Sequence, residues 1–92
     1  MKTKKIQSPL RVGNKVLIRT VTMMHTGLIV ALTKEEILLD RAAWIADSGR
    51  FFDALSKGAL NEVEPFVGVV SVARGGVIDV CTWGHELPEA QR

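Results

Sequence analysis

Hydrophobic and polar positions change texture twice along the chain. Residues 1–14 are Lys-rich, carry the breaker Ser8-Pro9 and close on the turn signal Gly13-Asn14, which predicts a tail and lead-in. From Lys15 the chain turns apolar and β-branched. Lys15–Thr22 (KVLIRTVT), His25–Leu32 (HTGLIVAL) and Glu35–Asp40 (EEILLD) predict three strands. The links between them, Met23-Met24 and Thr33-Lys34, are far shorter than a parallel crossover needs, so the three strands form an antiparallel meander. Gly27 inside the second strand marks a bulge or bend, which lets a small sheet curl into a barrel and hide its edges.

After Trp44-Ile45 the spacing becomes helical. Asp47 or Ser48 stands where a cap is needed, Phe51, Phe52 and Leu55 share one face, Lys57 falls in the last turn and Gly58 follows it. This predicts a helix over 49–57, within a helical insertion at about 47–58. Ala59–Pro65 reads as a linker, and 67–73 and 76–83 read as two final strands joined by a hairpin turn at Gly75-Gly76. The expected fold is mainly β with one short inserted helix: a five-stranded antiparallel barrel forming a single domain over residues 15–88.

Composition narrows this picture. A chain of 92 residues has room for one core but a high surface-to-volume ratio, so a homo-oligomer is expected. The hydrophobic fraction of 47% excludes a disordered polar chain. The lone Cys81 cannot form an internal disulfide, and the Lys-rich start leads into no apolar signal core, so a cytoplasmic location is expected. Arg19, Lys34 and Arg41 interrupt the hydrophobic half, which argues against membrane insertion. Charge is unevenly spread: residues 1–34 hold seven bases and no acid, while residues 35–92 hold five bases against ten acids. The basic first third is therefore a candidate surface for nucleic acid, or for pairing with the acidic remainder.

Candidate chemistry concentrates in Arg41–Phe51 (RAAWIADSGRF). His25, His85 and Cys81 match no zinc spacing, and the carboxylates Asp40, Asp47 and Asp53 border a helix where caps are common. No catalytic set, metal or cofactor is expected. Two readings of the segment stay open. In one, Trp44 and Ile45 seal the end of a barrel and Asp47-Ser48 caps the helix. In the other the segment is a binding rim: Trp44 and Phe51 stack on a base, Arg41 and Arg50 meet phosphate, and Asp47 accepts from a base or ribose. Arg74, beside Gly75-Gly76, is a further phosphate candidate, because a glycine turn lets backbone and guanidinium approach an anion.

The strings "VLIRTVTMMHTGLIVAL", "AAWIADSGRF", "GALNEVEPF" and "ARGGVIDVCTW", spanning most of residues 15–85, resemble a family of small phage and prophage proteins of unknown function. More loosely, Gly27–Leu32 with Ile37–Leu39 resembles the first motif of Sm-like and SH3-like small barrels, and Val72–Gly75 the second. The turn Thr33–Glu36 departs from that pattern, which has Asp and Asn there. The resemblance implies a viral, stand-alone, non-catalytic product that binds and sequesters a small anionic nucleotide-type ligand, in the manner of an anti-defence sponge for a host immune signal. The alternative it implies is an Sm-like nucleic-acid-binding or protein-interaction module.

Overall fold

The computed structural model describes residues 6–92, and Met1–Lys5 of the basic tail lie outside the described residues. Six strands, one α-helix and a 3₁₀ turn follow in the order β1 (Lys15–Thr20), β2 (Met24–Leu32), β3 (Glu36–Asp47), α1 (Phe51–Lys57), β4 (Glu62–Pro65), β5 (Val70–Ala73), the 3₁₀ turn (Arg74–Gly76) and β6 (Val77–Thr82). The meander β1-β2-β3 is antiparallel throughout, as the short links require.

The sheet is open and not the expected closed barrel. Its order is β4-β3-β2-β1-β6, with β5 also pairing β3. Closure would need β5 and β6 to pair as a hairpin. Instead Arg74–Gly76 forms the 3₁₀ turn, which carries the chain from the edge of β3 to the edge of β1. Strand number also differs from the expected five. Glu62–Pro65, read as linker, pairs with β3 and buries Val63 completely, while Pro65 closes the strand at its end.

β3 is the organising strand, twice the length expected of it. Its first half pairs β5 through Glu36–Leu39 and its second half pairs β4 through Ala43–Asp47, both on the side away from β2. The bend between the halves sits at Arg41, whose φ of 50° is in the left-handed region. Across from it lies Gly27, at the register shift between Thr26 and Leu28, so the expected bulge is present. A side chain at Gly27 would meet Leu39 Cβ at 3.0 Å, which explains a glycine where the two strands close up.

Both faces of the sheet are covered, which is why β1 reads Val-Leu-Ile with no polar alternation. Val16 and Ile18 pack with Ile29, Ile37, Leu39 and Val72 on one face. Leu17 packs on the other with Ile45, Val63, Trp83 and the helix residue Ala54. The chain end also joins the sheet: Arg92 and Val63 exchange two backbone hydrogen bonds of 3.0 and 3.2 Å along the outer side of β4.

Candidate binding cleft

The ladder between β2 and β3 stops at the pair His25–Trp44, while β3 runs on beside β4 to Asp47. Beyond that pair β2 and β3 are no longer paired. An open cleft of about 350 Å³ results, walled by Trp44, Ile45 and Ala46 on one side and by Thr20, Thr22, Met23 and Met24 on the other. Arg19 and Ile78 complete the lining. Ala46 lines it because it is the extra residue at the register shift between Ile45 and Asp47.

The two tryptophans take opposite roles. Trp83 is 1% exposed and donates its indole N–H to Glu86 O at 3.0 Å, so it is the aromatic plug of the core. Trp44 is 38% exposed and forms a cleft wall. Strand alternation decides this: Trp44 lies between the inward-facing Ala43 and Ile45. Next to Trp44 in the ladder, His25 is 6% exposed and stacks on Phe66 at 5.7 Å. Its Nδ1 has no hydrogen-bond partner among the described residues, and burial pushes its pKa below the ordinary value.

Arg19 is the arginine in the cleft lining, and its charge is matched. Its Nε donates to Asp79 Oδ1 at 2.9 Å, a second N–H contacts Oδ2, and its Cζ lies 5.2 Å from the centre of the Phe51 ring. The guanidinium bonds hold the Asp79 carboxyl below its usual pKa. Donor and acceptor thus stand side by side with no net charge. Thr20 Oγ1 is occupied within its own turn, accepting from Met23 N at 3.0 Å, whereas the Thr22 side chain makes no hydrogen bond among the described residues.

The other residues singled out in the sequence are dispersed. Arg41 forms a two-pronged pair with Glu89, with distances of 3.1 and 2.9 Å. Arg74 turns its guanidinium back onto Thr33 O, bracing the β2-β3 turn. Asp47 does not cap α1: its Oδ1 accepts from Gly49 N at 2.8 Å in a local turn, and the cap residue, Arg50, makes no side-chain cap bond. Arg50 itself is exposed, enters no ion pair among the described residues, and adjoins Phe51 in the chain. Of the six, then, Trp44 lies in the cleft, Phe51 backs its arginine, and Arg50 is a free cation beside Phe51.

Sequence reading missed Arg19, Met23, Met24 and Ile78, which lie on three different strands or their links and converge only through register. Of the basic first third, Lys15 is spent on His85 O at 2.5 Å and Arg11 on the Gln7 side chain. Among the described residues no group of three metal-ligating side chains comes together, and no helix is long and apolar enough to cross a membrane. Comparisons with protein families, curated proteins and solved structures return no match to this chain.

Proposed function

We propose that the protein is a non-catalytic binding module that holds a small, flat, nucleotide-type ligand in the Trp44 cleft. The observation that carries this reading is the half-exposed indole forming a wall of a cleft of about 350 Å³, at the lower end of small-molecule sites. A nucleobase on the Trp44 face gains stacking. The Arg19–Asp79 pair offers an N–H donor and a carboxylate acceptor, a combination suited to the mixed edge of a base.

Because that pair sums to zero charge, the phosphate contact falls to Arg50. This revises the expected site: Arg41 and Arg74 are committed to Glu89 and Thr33, while Trp44, Phe51 and Arg50 remain. In the setting implied by the resemblance, a phage product in the cytoplasm of an infected cell, a cleft that holds its ligand intact would sequester a nucleotide-derived signal. A nucleic-acid strand is a poorer occupant, since one exposed indole in a short cleft offers a single stacking platform.

The test is a titration of the full chain with mononucleotides and cyclic dinucleotides, followed by calorimetry. Saturable binding that is lost in Trp44→Ala and weakened by salt and in Arg50→Ala supports the reading. Absence of binding to every nucleotide at millimolar concentration, or equal affinity in folded Trp44→Ala, overturns it.

A further inference from the structure

We infer that β6 is a dimerisation strand, pairing antiparallel with β6 of a second copy of this chain around a two-fold axis at Cys81. The two ends of the sheet are finished differently. At β4 the chain's own Arg92 bonds to Val63, so that edge is partly closed. At β6, the opposite end, β1 is the only paired strand among the described residues.

The hydrogen-bond parity of β6 identifies which groups stay open. Trp83 N donates to Lys15 O at 2.9 Å, and the register sets Val16 opposite Thr82 and Leu17 opposite Cys81. In an antiparallel ladder, hydrogen-bonded pairs alternate with non-bonded ones. Trp83, Cys81 and Asp79 therefore direct their backbone groups to β1, and Val80 and Thr82 direct theirs outward. No backbone or side-chain partner meets those outward groups among the described residues.

The edge also lacks the usual safeguards. It has no proline and no lysine, its one bulge lies at its start, and its single charge, Asp79, is already matched by Arg19 of the same chain. A two-fold axis at Cys81 sets Val80 opposite the partner's Thr82 and Thr82 opposite the partner's Val80. That register uses all four outward groups of Val80 and Thr82, gives four intermolecular backbone bonds, and avoids the bulge. It also sets Asp79 against the partner's Trp83, keeping the two acids apart. An axis at Val80 would instead bring the bulged Ile78 into the ladder and the two Asp79 residues closer together. Exposed Ile78, at 63%, lies beside the junction and adds apolar surface. This inference is independent of any ligand in the Trp44 cleft.

Two experiments on the full chain decide it. Sedimentation velocity across a concentration series should show a monomer–dimer equilibrium. Val80→Pro deletes only an outward N–H, leaves the β1 ladder whole, and removes two of the four bonds, so the association constant should fall about tenfold or more. In the proposed register the two Cys81 residues face each other as a non-hydrogen-bonded pair with Cα atoms about 4.5 Å apart, within disulfide reach. Copper–phenanthroline oxidation of wild type should therefore give a reducible covalent dimer, and Cys81→Ser should give none. Should Val80→Pro fail to fold, the Cys81 cross-link stands as the deciding result. A wild type that stays monomeric, a folded Val80→Pro that dimerises as tightly as wild type, or a dimer that does not cross-link through Cys81 overturns the inference.

Discussion

Gly58 ties the helix to the chain end, and replacing it by alanine tests that tie quantitatively. Its φ of 72° and its N–H bond to Ala54 O at 2.9 Å end α1 in the left-handed conformation. An L-residue there costs about 1–2 kcal/mol. The added Cβ would also stand 2.8 Å from His85 Cγ and 3.0 Å from His85 Cβ, so the ring must move. His85 is not free to do so without loss: its Nε2 bonds Leu55 O at 2.7 Å, and its ring meets Trp83 edge-on at 5.0 Å. Displacement adds about 1–3 kcal/mol, by analogy with overpacking in a core. The total expected for Gly58→Ala is thus about 2–5 kcal/mol.

Gly68→Ala is the control, because φ is 86° there but nothing lies within 4 Å of an added Cβ. It should cost only the backbone part, about 1–2 kcal/mol. Urea unfolding followed by tryptophan fluorescence measures both, with unchanged m-values confirming that midpoints report stability. Placing Gly58→Ala in a His85→Ala background should recover the steric part, a coupling of about 1–3 kcal/mol. Equal costs for the two glycines, or zero coupling with His85, would refute the account.

Trp83→Ala should destabilise by about 3–5 kcal/mol, enough to unfold a marginal domain, whereas Trp44→Ala should leave the far-UV circular dichroism spectrum intact. Stability should fall on acidification from neutral pH. His25 stays neutral when folded, so the unfolded chain binds the proton that the native state refuses, and the loss begins as pH drops through the unfolded value of about 6.5 and ends below the depressed folded one. His25→Phe should remove that segment of the pH–stability curve, leaving the deeper acid loss from Asp79 and Glu89, whose pKa values are held down by Arg19 and Arg41. Arg41→Gly should match or exceed the wild-type thermal midpoint and Arg41→Ala should not, because φ at this position suits glycine while the Glu89 pair is solvent-exposed.

Much of the architecture was legible in local pattern. The meander, the bulge at Gly27, the helix ending at Gly58 and the last two strands follow from β-branched runs, short links and positive-φ glycine, all of which act over a few residues. Two elements carried weaker signals. Glu62–Pro65 alternates polar and apolar around Val63, but four residues and a proline fall below the threshold for a strand read alone. The extension of β3 through Trp44 was hidden by Arg41-Ala-Ala, which looks like the end of a strand and is in fact its bend.

Composition and pattern by themselves determined a folded, mainly antiparallel β domain with one short helix, and singled out Trp44 as either plug or binding surface. Tertiary structure decided that Trp44 is exposed and is not the plug, because exposure depends on which faces are covered. Trp83 fills the core beneath α1, leaving Trp44 at the place where β2 and β3 part. It also decided that the sheet stays open and that Arg19 is the arginine at the cleft. Both depend on which strand pairs with which, through contacts between residues as far apart as Arg19 and Asp79 that no local pattern encodes.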